Sequence, residues 1–298
     1  VADDRNSDEA TVRRFVEMGI ATAEEAQRNR LVDSLGYRNE ILSQLLGSKS
    51  DRWDRKRVRA SHYLQMIGDK FRIRSPHKVA LLGGTGLITS GHSVPFSDNM
   101  GGTTMVSHLS RIRKNKNLKG VIFRVDSPGG ATVGSDMIWK EIQLLEDADK
   151  PVVVSMSGVA GSGGYYIASA SNQVFANPGT LTGSIGVIMA FSNIKGLMDK
   201  IGLQPEVVKA GKYKDVGSPV RAMTEKEKDL FQNVVTDVHQ QFIEAVAKGR
   251  NLSILEISKL ADGRILTGRQ AYSLKLVDQL GGTGSRSDHV LPPSLLRL

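Results

Sequence analysis

The sequence predicts an α/β fold built from crossover units, on three observations. Short apolar, β-branched runs such as Val152–Val154 and Leu118–Val125 have the length of buried strands. Amphipathic stretches with helical spacing separate them, as in Met137, Ile138, Ile142 and Leu145. The two types alternate at short intervals from Lys78 onward, which calls for strand–helix–strand connections.

Composition excludes several classes. At 298 residues, 40% hydrophobic and 24% charged, the chain can bury a core and holds one large or two smaller domains. It has no cysteine, which rules out disulfides, thiolate metal sites and a cysteine nucleophile. The six histidines, at 62, 77, 92, 108, 239 and 289, show no HxxxH or HxH spacing, so no metal is expected. The net charge of +9 comes from scattered residues and the basic stretch Arg52–Arg74. No zinc-finger spacing, RNP-like motif or heptad array accompanies it, so no nucleic-acid partner is expected. No apolar run reaches the ~18 residues of a membrane span, and no signal peptide is visible.

Taken in order, residues 9–46 read as helical, with Val12, Phe15, Val16 and Ile20 on one stripe and Thr22/Glu25 as a capping box. Residues 47–77 are a basic linker or surface helix, with Pro76 at the boundary. Val79–Leu82 is a strand. The following GGTGLITSG lacks the third glycine of a dinucleotide fingerprint, and no helix pattern follows it. Ser97–Gly102 reads as a loop, Thr103–Arg113 and Ala131–Glu146 as helices, and Gln173–Ala176 and Pro205–Val208 as strands. Ile194–Ile201 is a helix. Thr224/Glu227 and Ser253/Glu256 are capping boxes, the first opening a long helix with Leu230, Val234, Val238, Phe242 and Val246 as its buried stripe.

A repeat is visible. Ile20–Gly36 and Ile265–Gly281 share Ile, Thr, Ala, Leu-Val-Asp, Leu and Gly at matching positions. The second copy closes a long domain, so the first is expected to close a similar domain whose body lies outside this sequence.

Two glycine turns carry the candidate chemistry. In Pro151–Ala170 a valine run leads into Gly158, Gly161, Ser162, Gly163 and Gly164, then a helix start. A serine between glycines there is a candidate nucleophile, because backbone can approach a ligand and free helix-start amides can hold an oxyanion. Asp126-Ser127-Pro128-Gly129-Gly130 is a second candidate anion nest. Serine needs a base, and no histidine lies in a motif that would place it beside Ser162. A lysine serves if burial lowers its pKa from ~10.4 towards 7–8. The AGKYKD run offers Lys212 and Lys214, which share a face if the segment is extended, so alternation does not separate them.

RVDSPGG at 124–130, SMSGVAGSGGYYIA at 155–168, NPGTLTGSIGV at 177–187, AGKYKD at 210–215 and DGRILTGRQAYSLKLVDQLGG at 262–282 together resemble the signal peptide peptidase A (protease IV) family of the ClpP/crotonase-like superfamily. Asp126 and Gly161 stand where many relatives have Asn and Ala. The resemblance implies repeated β-β-α units with flanking helices. Its domains would be a helical remnant of a preceding repeat at 1–46, a basic linker at 47–77, a peptidase domain at 78–285 and a polar tail at 286–298. It implies a Ser–Lys dyad with nucleophile Ser162, general base Lys214 in preference to Lys212, and Ser184 hydrogen-bonded to the lysine. The oxyanion donors are the amides of Gly129, Gly130 and Gly163. No cofactor or metal is needed. The expected substrates are cleaved signal peptides and other apolar peptides. A homo-oligomer is expected, held at the bacterial inner membrane facing the periplasm by a segment not in this chain. A crotonase-like acyl-CoA enzyme and an inactive scaffold are the competing readings.

Overall fold

The computed structural model describes residues 1–17, 22–37, 40, 41, 44 and 78–282. The basic stretch 47–77, Ile20 of the repeat and the tail 286–298 lie outside the described residues. The chain divides into two units, Val1–Arg74 and Ser75–Leu298.

The larger unit is α/β with a mostly parallel central sheet. Its strands are β1 (Lys78–Thr85), β2 (Leu87–Thr89), β3 (Asn99–Gly101), β4 (Leu118–Ser127), β5 (Val152–Gly161), β6 (Gln173–Ala176), β7 (Leu181–Gly183), β8 (Ile265–Thr267) and β9 (Gln279–Leu280). The main path runs β1-β4-β5-β6-β9, parallel throughout. Continuous apolar runs form the inner strands because both sheet faces are covered. Val121, Phe123, Val125, Val152, Val154 and Met156 are fully buried. The covering helices include Gly102–Lys114, Thr132–Glu146 and Glu225–Arg250, which pack Leu109, Ile138, Ile142, Leu145, Phe242 and Val246 into the same core.

β5 forks. Val153–Ser155 pair with β6, whereas Val159–Gly161 pair with β7, which turns antiparallel onto β8. The strand therefore runs through the glycine-rich sequence to Gly161, well past the valines that announce it. At the same level β4 breaks register between Val125 and Ser127. Asp126 uses this irregularity: its Oδ1 accepts the Val159 amide at 3.1 Å. An asparagine Oδ1 could accept the same bond.

Three expectations are corrected. Ser97–Gly102 is not simply a loop, because Asn99–Gly101 pair with Leu87–Thr89 and bury Met100. Pro205–Val208 forms no strand; the segment is irregular and exposed. Leu230 and Val234 are exposed, and the long helix enters the core only from Phe242 onward.

The helices of the N-terminal unit include Glu9–Glu17 and Ala23–Arg28, the second capped by Thr22 and Glu25. The repeat recurs here as geometry. Thr267/Gln270 form the matching capping box. Arg30 and Lys275 both have φ 60°, and Asn6 and Asn251 have φ 46° and 52°. The Leu31 and Leu276 amides donate to Ala26 and Ala271 at 2.9 Å each. Arg5 pairs with Asp33 as Arg250 pairs with Asp278.

The long helix begins in an ion-pair cluster. Arg221 binds Glu227 and, at 2.8 Å, Asp215, which also binds Lys209. Glu227 caps the helix by accepting the Thr224 amide at 2.8 Å. The Arg221 guanidinium, with that amide, holds the Glu227 carboxyl down at about 2, from an ordinary 4.5. A depressed folded-state pKa gives stability that is present above the unfolded value and lost as pH falls through the folded one. The melting-temperature gap between wild type and Glu227→Gln should therefore be full above about pH 5 and close between pH 4.5 and 2. Differential scanning calorimetry across that range checks it.

Candidate active site

The ends of β4 and β5 place the two glycine turns against each other. Ser162 is the hinge between β5 and the helix Gly163–Ser169, with φ 49° and ψ −121°. A non-glycine residue with positive φ is strained, and such residues cluster at functional sites. The Ser162 amide donates to the Gly183 carbonyl at 2.9 Å, and its carbonyl accepts the Tyr166 amide at 2.9 Å. These bonds lock the turn.

Three of the glycines around it leave no room for a side chain. A Cβ on Gly129, where φ is +106°, would lie 2.8 Å from both the Gly163 nitrogen and the Ser162 Cβ. A Cβ on Gly130 would meet the Ile88 carbonyl oxygen at 2.2 Å, and one on Gly163 the Ser135 Oγ at 2.3 Å. Ile88 clamps the first turn: its amide donates to Gly129 O, and its carbonyl accepts the Ala131 amide, both at 2.8 Å. That assigns the GGTGLITSG stretch a role in holding the turn.

The three expected oxyanion amides differ. Gly129 N–H donates to Ser127 Oγ at 3.1 Å and is occupied. The Gly130 and Gly163 amides have no acceptor among the described residues. They lie close together, since a Cβ on Gly163 would be 3.4 Å from the Gly130 nitrogen.

Two cavities open at Ser162. One, of about 120 Å³, runs between Asp136, Tyr166, Ile188 and Phe242. The other, of about 450 Å³, is lined by Ser162, Ser184, His239 and Asp262 among others. Ser184 also has positive φ, 50°, and its amide donates to Arg264 O at 2.8 Å. Its Cβ lies 3.7 Å from where a Gly161 Cβ would stand. Ser162 and Ser184 thus share one cavity.

Lys214 is placed elsewhere. The AGKYKD run forms turns, so the alternation of an extended segment does not apply, and Lys214 is exposed. Among the described residues it lines neither cavity and makes no ion pair. Its amide donates to Gly211 O at 3.3 Å. Lys212 lies over the Tyr213 ring at 5.2 Å, and Lys209 is held by Asp215.

Sequence reasoning found no histidine for this site, yet His239 lines the larger cavity, and its buried Nε2 has no hydrogen-bond partner among the described residues. Helical spacing from Gln232 and Val235, on the same cavity wall, carried that signal. Asp136 was likewise passed over. Among the described residues no cluster of His, Asp and Glu could hold a metal ion, and no helix is long and apolar enough to cross a membrane.

A strained serine at a strand–helix turn, facing free amides in a cleft, defines a site of the acyl-transfer class. Residues 145–287 match the family described as Peptidase family S49. It is 32% identical over 292 residues to the chloroplastic serine protease SPPA of Arabidopsis thaliana, covering 95% of this chain and 42% of that one. It is 42% identical over 168 residues to a putative protease of Synechocystis, covering 56% and 60%, and 40% identical over 176 residues to the putative signal peptide peptidase SppA of Enterococcus faecium, covering 59% and 51%. The chain spans about half the length of these relatives.

Two alanine substitutions should separate the tight turn from its looser neighbour. Gly130→Ala collides with the Ile88 carbonyl and should cost about 3 kcal/mol or more. Gly161→Ala meets only ordinary contact and should change stability by less than about 1 kcal/mol. Urea unfolding of both variants measures the difference.

Proposed function

We propose that the chain supplies the peptidase domain of a serine endopeptidase that cleaves spent signal peptides and other apolar peptides through an acyl-enzyme. The observation that carries this is the strained Ser162 beside the unoccupied Gly130 and Gly163 amides, in a chain whose residues 145–287 match the S49 family. Ser162 Oγ attacks the scissile carbonyl carbon while Lys214 Nζ takes its proton. The developing oxyanion is held by Gly130 and Gly163, with Gly129 shaping the turn. The C–N bond then breaks, and Lys214 returns the proton to the leaving amine. Water, deprotonated by the same lysine, cleaves the ester and restores the serine. Ser184 orients the lysine.

The base is reached by assembly. Lys214 is exposed, as are Ile188, Leu197, Ile201, Leu203, Leu230 and Val234. A homo-oligomer that covers these side chains would carry the lysine of one copy to the serine of another. It would also exclude water, lowering the pKa of the amine. No cofactor or metal enters the reaction. In this reading residues 1–46 close a preceding repeat, 47–77 link it to the peptidase domain at 78–285, and 286–298 form a tail. The matching Arg–Asp pairs and capping boxes of the two units support the first of these assignments. The relative named putative signal peptide peptidase SppA supports association with a bacterial membrane; in this reading the protein sits at the inner membrane facing the periplasm, held by a segment outside this sequence.

With the full-length protein and a quenched apolar peptide, Ser162→Ala should lose at least about 10³-fold in kcat/KM, and Lys214→Ala a comparable amount. Mixing the two variants before assembly should restore activity. Loss in Lys212→Ala with retention in Lys214→Ala would reassign the base.

A further inference from the structure

The smaller cavity beside Ser162 has an aromatic wall and one charged residue, Asp136, with polar Thr132, Ser135 and Gln241 also in its lining. Tyr166 and Phe242 form a wall, with ring centroids 5.0 Å apart edge to face, and Trp139 backs Tyr166 at 5.9 Å. These contacts fix the Tyr166 ring. Its hydroxyl donates to Asp136 Oδ1 at 2.9 Å. Burial, then the Asp136 charge, push the Tyr166 phenol up, so it remains a donor at neutral pH and the carboxylate the acceptor. Asp136 Oδ2 has no hydrogen-bond or ion-pair partner among the described residues. A cation reaching the mouth of this cavity would find an oriented carboxylate that no side chain among the described residues neutralises.

We propose that this cavity receives the substrate side chain on the acyl side of the scissile bond, and that Asp136 makes it select lysine or arginine. The proposal rests on the peptidase reading of Ser162. A long methylene stem matches the aromatic wall, and a terminal cation reaches Oδ2. A side chain of the same length without the charge fills the wall but leaves the carboxylate unpaired. A carboxylate side chain is repelled. Selectivity then resides in one residue of the helix Thr132–Glu146, separate from the turns that hold the oxyanion.

The test uses the full-length protein and three peptides that differ only at that position, with lysine, norleucine or glutamate. Affinities are measured by calorimetry on the Ser162→Ala variant, and hydrolysis on the wild type. Lysine should bind about tenfold more tightly than norleucine, and glutamate more weakly than either. Asp136→Asn in the same background should bring the lysine-to-norleucine ratio near one, whereas Tyr166→Phe, which keeps the carboxylate, should preserve it. Should Asp136→Asn fail to fold, salt gives the same reading: the lysine preference of the Ser162→Ala protein should shrink as ionic strength rises. Equal affinity for lysine and norleucine, or a ratio unmoved by Asp136→Asn or by salt, overturns the proposal. A lysine preference in binding with no hydrolysis by the wild type upholds the subsite and removes the peptidase reading. Hydrolysis without preference does the reverse.

Discussion

The close approach of two backbone turns is the constraint on which the site depends. The Gly129–Gly130 turn ends β4 and the Ser162–Gly163 turn ends β5. Side chains at three of these four positions would overlap main-chain or side-chain atoms. Parallel pairing of β4 with β5 brings the turns level, and the register break after Val125 lets the first turn swing over the second. The core beneath supplies the stability that offsets strain at Ser162 and Ser184, since φ near +50° is unfavourable for any residue with a Cβ. Ile88 closes the arrangement from above through two backbone bonds to the first turn. The positions of the proposed nucleophile and donors are thus set by main chain, which cannot relax by a rotamer change.

The proposed base is organised by a different principle. The run carrying Lys212 and Lys214 has no place in the sheet. It is tied to the long helix by charges: Asp215 to Arg221 and Lys209, and Arg221 to Glu227, the capping residue. Asp215 and Glu227 are largely buried, but ion pairs to the half-buried Arg221 and Lys209 hold a loop less firmly than an apolar core does. A segment held this way, flanked by exposed apolar residues, is suited to being completed by contact with another surface. The larger cavity, shared by Ser162, Ser184 and His239, is where an incoming amine would have to arrive.

The parts of this structure that were legible in the sequence are those decided by neighbours along the chain. Capping boxes at Thr22, Thr224 and Ser253 form where the spacing of Ser or Thr and Glu predicts them. The valine run of β5 and the apolar face of Thr132–Glu146 are buried as their periodicity requires. What was not legible depends on distant partners. Asn99–Gly101 is a strand only because Leu87–Thr89 lies beside it. Pro205–Val208 has suitable residues but no neighbouring strand. Leu230 and Val234 continue a helical stripe beyond the point where the core ends. His239 and Asp136 meet Ser162 only through the packing of three helices on the sheet.

The repeat shows the same division inside one chain. Arg5, Asp33, Thr22 and Arg30 reproduce the bonds and backbone angles of Arg250, Asp278, Thr267 and Lys275. Their burial differs. Val277 is 1% exposed where Val32 is 39%, and Val246 is fully buried where Val1 is 70% exposed. The cap and the left-handed residue are local and follow from the residues they contain, whereas the Arg–Asp clasp joins positions 28 residues apart in each copy. Packing against a sheet is what distinguishes the second copy, where the Leu276 carbonyl accepts the Tyr165 hydroxyl at 2.8 Å. Tyr165 belongs to the helix that Ser162 opens, so in the second copy the motif supports the nucleophile turn from behind.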